Sequence, residues 1–196
     1  MSMTKPERGV LGEGTVYVEA PPGSRVQDLL SAEGWRDDEP RTPLRRDLAA
    51  PVGDPGVRIV VAGPSDVHDR VVVQRASFDR STFTEERWHA MAAVPPYADA
   101  RCLIVYDEQD HPVAAVSARS SGPGKPGLIE PMGVSREQRG HGYGTAITVA
   151  AAAALRELGS SSATVCTPSS NVGAVATYES AGFDRLPETR DRRRGA

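Results

Sequence analysis

The chain is short of the residues that build metal centres and disulfide frameworks. It has two cysteines, Cys102 and Cys166, and four histidines, His68, His89, His111 and His141. No two of them stand at metal-ligand spacing, so no metal site is expected. Both cysteines lie in apolar, strand-like runs and read as buried, reduced thiols rather than as a disulfide or a nucleophile. No apolar stretch reaches the length of a membrane span; the alanine-rich run near residue 150 is small and weakly hydrophobic. The N-terminus has neither the charged start nor the apolar middle of a signal peptide, which makes a reduced cytoplasmic setting the expectation. A basic excess is missing too. The net charge is −3, and the basic run at residues 190–194 reads as a solvated tail. Composition therefore offers no electrostatic ground for binding nucleic acid.

What the sequence does contain is enough apolar side chain, 39% in 196 residues, for one domain or one domain with an appendage. Its most telling stretch is residues 127–159. An apolar strand, Gly127-Leu128-Ile129-Glu130-Pro131-Met132-Gly133-Val134, leads through a polar turn to Arg139-Gly140-His141-Gly142-Tyr143-Gly144 and then to an alanine-rich helix ending at Gly159. Glycines let a backbone approach a bulky anion because no Cβ intervenes. The helix behind them turns free N–H groups and the positive end of its dipole to the same place. This chemistry suits a diphosphate-bearing cofactor; the plainer reading is a tight strand-to-helix connection.

The spacing Arg139-x-x-Gly142-x-Gly144 is joined, roughly thirty residues later, by Asn171-Val172-Gly173-Ala174-Val175-Ala176-Thr177-Tyr178-Glu179-Ser180-Ala181-Gly182-Phe183. Together the two segments resemble the GNAT superfamily of N-acetyltransferases. The first matches its pyrophosphate signature, Arg/Gln-x-x-Gly-x-Gly/Ala; the second matches its later motif, an Asn, a Tyr seven residues on, then Gly-Phe. The resemblance spans about residues 57–190. It implies an α/β chain of the α+β type, with a mixed, mostly antiparallel central sheet flanked by helices. It implies N-acetyl transfer from acetyl-coenzyme A to a primary amine, with no metal.

The resemblance also implies roles. Arg139, Gly140, His141, Gly142, Tyr143, Gly144 and Thr145 would hold the pyrophosphate, mainly through backbone N–H groups. Met132, Gly133 and Val134 would meet the pantetheine arm with their main chain. Gly133 is consistent with a bulge or a close approach, and equally with plain packing against a helix. Asn171 would bond the same arm, or cap its own helix. Tyr178 would serve the departing sulfur as an acid; the bland alternative is a half-buried helix tyrosine. Glu130 is the candidate base. Alternation places residues 130, 132 and 134 on one face, which would turn Glu130 into the acceptor cleft; it reads equally well as an ion-pair partner.

The acceptor is open: a small-molecule amine or a protein amine, with no nucleic acid or membrane partner expected and a homodimer left open. A non-catalytic acyl-coenzyme A sensor of the same fold is the second reading. A dinucleotide oxidoreductase is the third, and it lacks the acidic residue that should end the strand after the glycine loop.

Elsewhere the chain divides into an appendage, residues 1–56, and a main domain, residues 57–196. Residues 1–14 are polar and read as loose. A strand at residues 15–19, a helix capped by Ser24 and a stop at Gly34 precede residues 36–48, which read as a strand pair. This order echoes residues 164–183, so the appendage reads either as a remnant second repeat or as coincidence. Helices are expected after Asp66 and over residues 84–93, the second with a Thr82/Glu85 capping box. Among Phe78, Phe83, Trp88 and Tyr97, Phe83 is the best candidate for an acceptor-pocket wall, with core packing the alternative. A hairpin is expected over residues 102–118.

Overall fold

A computed structural model describes residues 15–21 and 23–195. The expectation for residues 1–14, and Pro22 in its turn, lie outside the described residues. The chain runs β1 (Val16–Val18), α1 (Arg25–Ala32), β2 (Arg36–Asp47), β3 (Arg58–Val61), α2 (Val67–Ser77), α3 (Glu85–Ala92), β4 (Ala100–Tyr106), β5 (Pro112–Ser120), β6 (Pro126–Val134), α4 (Tyr143–Glu157), β7 (Ser162–Pro168), α5 (Val172–Ser180), β8 (Asp184–Arg185) and β9 (Thr189–Arg194). One sheet holds them in the order β1-β9-β2-β7-β6-β5-β4-β3, with β8 beside β2. Among the described residues only β6 and β7 pair in parallel. The fold is thus the mixed, mostly antiparallel sheet with flanking helices that was expected.

The alternation of each strand divides the core. Leu103 and Val105 of β4, Val116 and Ala118 of β5 and Ile129 of β6 join the α4 side, where Ile147, Ala151 and Leu155 are fully buried. Cys102, Ile104 and Ala115 face the other way and meet Val73 of α2. The alanines let α4 lie close on the sheet: a Cβ on Gly127 would stand 2.5 Å from Leu155 Cδ2. Trp88 of α3 is buried beside Val67 and Val71 of α2. Phe83 also packs there, with the Arg70 guanidinium over its ring.

Several local signals act as read, and others do not. Ser24 caps α1, its hydroxyl accepting from Gln27 N–H. Thr84, not Thr82, caps α3; Thr82 instead accepts a hydrogen bond from Arg87. Asp66 accepts from Gly63 N–H and closes a short 3-10 turn before α2. Residues 36–47 form one long strand rather than a pair. Pro40 follows a register shift between Asp37 and Pro40, and the carbonyls of Pro40 and Pro43 accept from Ser169 N–H and Leu186 N–H. Two arginines fasten this strand to the helices: Arg46 donates to Ala181 O at the end of α5 (2.6 Å), and Arg156 of α4 donates to Leu48 O (3.1 Å).

The two halves that echo each other in sequence are interleaved in space. β2 and β9 pair antiparallel at the centre; β7 flanks β2, and β1 flanks β9. The order β1-β9-β2-β7 therefore maps onto itself when the two strand–helix–strand units are exchanged. Both helices end alike. Gly34 (φ +82°) and Gly182 (φ +79°) take the left-handed conformation after α1 and α5, and Trp35 and Phe183 then turn inward. Truncating Leu44, fully buried on β2, removes side chain from the α4 core. Leu44→Ala should cost about 2–5 kcal/mol in denaturant unfolding; an unchanged midpoint would mean that β2 is not integral to the sheet.

Candidate active site

The sheet comes apart at one place. β6 and β7 pair only from Pro126–Ser162 to Leu128–Thr164, after which they diverge. The cause lies within β6. Val116 of β5 pairs with Met132 while Ala118 pairs with Ile129, so Glu130 and Pro131 together oppose the single residue Ser117. This is a bulge, and it reverses the alternation. Gly127 and Ile129 face α4, Leu128 and Glu130 face the other way, and Met132 and Val134 turn back toward the α4 side. Glu130 therefore does not share a face with Met132 and Val134, as simple alternation predicted. Pro131 within a strand was the sequence signal for this irregularity. Gly133 is not itself the bulge: it pairs in register with Ala115, and a Cβ there would lie 2.6 Å from Ser77 Cβ and 2.9 Å from Phe78 Cε2. Its role in the fold is a close approach between β6 and the end of α2.

Past the fork, β6 presents its β7-facing backbone groups without a strand partner, and a cleft of about 760 Å³ opens there. Met132, Gly133 and Val134 form one wall, the glycine loop and the start of α4 another, and α5 a third. Gly140 (φ +84°) and Gly142 (φ +83°) hold left-handed conformations that a side chain would strain. Gly142 stands at the N-cap of α4 and, having no side chain, caps nothing. The first helical bond runs from Ala146 N–H to Gly142 O, so the N–H groups from Gly140 to Thr145 have no acceptor among the described residues. Six consecutive unsatisfied amides at a helix N-terminus, next to an open cleft, make an anion site. A Cβ on Gly144 would lie 3.0 Å from Thr177 Cγ2, so this glycine also lets α4 approach α5.

The other candidates fall as follows. Arg139 lines the cleft but donates to Ser77 O (3.1 Å), which ties the loop to the end of α2. Arg136 pairs with Asp79 at the rim. Thr145 lines the cleft. His141 is exposed, and Tyr143 packs against the α4 core. Asn171 does two things at once: its side chain caps α5 by accepting from Ala174 N–H (3.2 Å), and the residue lines the cleft. Phe78, which sequence reasoning ranked below Phe83 as a pocket wall, lines the cleft from an extended residue just past α2. A helix pattern cannot show that the helix has already ended.

Tyr178 is 5% exposed, yet its hydroxyl makes no hydrogen bond to any described residue and is not sealed off. Its helical neighbours Ala174 and Thr177 line the first cleft. Burial, with a further contribution from the charge of Glu130, pushes its phenol up to about 12. Glu130 lines a second cleft of about 640 Å³ on the opposite face. Tyr178 itself lines neither cleft; it lies on α5 behind the wall that Ala174 and Thr177 form. Cys166 is exposed and lines the second cleft, unlike the buried thiol expected, because β7 turns it to the face that no helix covers; Cys102 is buried.

The description "Acetyltransferase (GNAT) family" matches residues 70–183, more than half of the chain. The chain belongs to the GNAT acetyltransferase family. The family's fold is also the one found by structural comparison. A GCN5-related N-acetyltransferase from Sphaerobacter thermophilus superposes with a TM-score of 0.71 at 22% identity, covering 92% of this chain and 58% of that one. A GCN5-related N-acetyltransferase from Kribbella flavida gives 0.65 at 18%, covering 93% and 67%. A tandem GNAT protein from the clavulanic acid biosynthesis pathway gives 0.62 at 17%, covering 92% and 62%. The chain thus spans less than two thirds of the first and third of these. No curated protein matches it in sequence.

The GNAT loop should be sensitive at its left-handed residues. Gly142→Ala forces a Cβ into φ +83° at the entry to α4 and should lower unfolding stability by about 1–2 kcal/mol. A melting temperature equal to the parent's would show that the loop is not held in this conformation.

Proposed function

We propose that the protein transfers the acetyl group of acetyl-coenzyme A to the amine of an acceptor by direct attack. The observation that carries this reading is the run of unsatisfied amides from Gly140 to Thr145, set beside the unpaired edge of β6 at the fork. The donor set fits the coenzyme: the amides suit a pyrophosphate, and a free strand edge suits the amide-bearing pantetheine arm. Acetyl-coenzyme A supplies an activated acyl group and a thiolate leaving group.

The chain's residues then do the following. The amides of Gly140–Thr145 bind the pyrophosphate, with Thr145 beside them. Met132, Gly133 and Val134 offer backbone groups to the arm, and a backbone N–H on this edge polarises the acyl oxygen, an effect commonly worth about 10²–10³ in rate. Asn171 orients the arm while capping α5. Glu130 takes a proton from the acceptor ammonium, directly or through water. Tyr178 serves the sulfur as a hydrogen-bond donor. Burial holds its phenol near 12, above the ordinary thiol value of about 8.5, so full transfer of its proton to the thiolate would be uphill. One N–C bond forms and one C–S bond breaks; of the two protons the ammonium sheds, one ends on the sulfur and one in solvent. We read β1–α1–β2 as a partial second copy of β7–α5–β9 that binds no coenzyme, since it has no glycine loop and Leu30 stands where Tyr178 does.

Acetyl-coenzyme A turnover across amine classes tests this reading. Some amine should be acetylated, and tight coenzyme binding with none turned over would favour the sensor reading. Tyr178→Phe should lower kcat by about 10²-fold; unchanged turnover would remove Tyr178 from the reaction. A phenol whose folded pKa lies above its unfolded value stays neutral through the working range, so the alkaline limb of the rate profile should not move in Tyr178→Phe below about pH 10. A limb that disappears in the variant would mean that Tyr178 ionises during turnover.

A further inference from the structure

Among the described residues, Phe78 is a large apolar side chain that belongs to none of the apolar clusters of the core. It is 37% exposed and lines the first cleft beside Met132, Gly133 and Val134. Its ring is nevertheless set against β6. A Cβ on Gly133 would stand 2.9 Å from Phe78 Cε2 and 2.6 Å from Ser77 Cβ. One edge of the ring thus rests where any other residue at position 133 would carry its side chain. An aromatic ring left partly bare in a cleft, rather than folded into the core, points to an apolar group of a ligand.

The backbone that carries this ring is held on both sides. Phe78 N–H donates to Gln74 O in the last turn of α2 (3.2 Å), and Phe78 O accepts from Ser81 N–H (3.3 Å), closing a turn in which Arg80 is left-handed (φ +58°). Before it, Ser77 Oγ donates to Val73 O (2.7 Å), and Arg139 donates to Ser77 O (3.1 Å). After it, Asp79 pairs with Arg136. The glycine loop and the end of α2 are therefore strapped together around Phe78, and the ring stands on a support that resists displacement.

We infer that Phe78 sets the length of the acyl group: its ring bounds the space beside the thioester, which takes a two-carbon acyl group and excludes longer chains. The inference rests on the acyl-transfer reading above, which runs the pantetheine arm along Met132–Val134. The acyl carbon then lies at the β6 edge near Gly133, and its substituent has three directions open to it. Toward α4 stand Met132 and Val134, already packed against that core. Toward the fork lies the path by which the acceptor amine arrives from Glu130. The third direction, toward the end of α2, ends at the Phe78 ring. A longer chain has to push the ring off Gly133 or leave the cleft, and a filled apolar pocket discriminates against an extra methylene by about tenfold or more.

Calorimetric titration of the full chain with coenzyme A, acetyl-coenzyme A and butyryl-coenzyme A tests the inference without needing turnover. The parent should bind butyryl-coenzyme A about tenfold more weakly than acetyl-coenzyme A. Phe78→Ala should bind the butyryl form at least as tightly as the acetyl form, with its affinity for coenzyme A itself within about threefold of the parent's. Phe78→Leu, which keeps an apolar side chain at the end of α2, should fall between the two and guards against a fold lost in Phe78→Ala. A parent that holds both acyl forms equally, or an acetyl-to-butyryl ratio unchanged in both variants, would overturn the inference. So would a uniform loss of all three ligands in Phe78→Ala, which would make the ring a prop of the cleft and not its limit. The two readings fail differently. Discrimination as expected with no amine acetylated leaves this inference standing and removes the transfer reading; an amine acetylated from both acyl forms alike does the reverse, and no binding of any of the three removes both.

Discussion

The whole arrangement depends on the failure of β6 to stay paired with β7. A continuous parallel pair would bury its edges, leaving neither a free strand edge nor a gap. Glu130 and Pro131 insert one extra residue opposite Ser117, and the strands part just beyond Leu128. The same insertion reverses the side-chain alternation. It places Glu130 on one face and Met132 and Val134 on the other, so a single local irregularity makes both the opening and the two-sided chemistry at it.

The rest of the fold holds that opening in place. Small residues on α4 and Gly127 bring the helix down onto the sheet, so its N-terminus arrives at the mouth of the fork with its amides free. Gly133 lets the end of α2 close in from the other side, and Arg139 fastens the loop to it. Because each of these approaches leaves no room for a Cβ or takes a left-handed turn, the site tolerates few substitutions along a run of backbone rather than at a few reactive side chains. Tyr178 is the exception: a largely buried side chain whose hydroxyl stays accessible and makes no hydrogen bond to a described residue.

β2 lies between β7 and β9 and carries part of the second cleft's lining. Arg41, Pro43, Glu39 and Asp38 reach that cleft from residues far from the glycine loop in sequence. The charge of the cleft is therefore set largely by the opening third of the chain, while the first cleft is lined mostly by the later half.

The sequence alone determined the elements whose signals are local. The glycine loop, the alanine helix, the Ser24 and Asn171 caps and the Gly-aromatic stops are spelled by neighbouring residues, and so they were legible, as was the family from two spaced motifs. Tertiary structure decided what depends on pairing across the sheet. Residues 36–47 became one strand because β7 and β9 accept it on both sides. Glu130 changed face because its partner strand has one residue fewer, and Cys166 is exposed because no helix covers its side of β7. Phe78 reached the cleft because α2 stops one residue before it. Register and cover are properties of the neighbouring strand or helix, and a chain read by itself does not contain its neighbours.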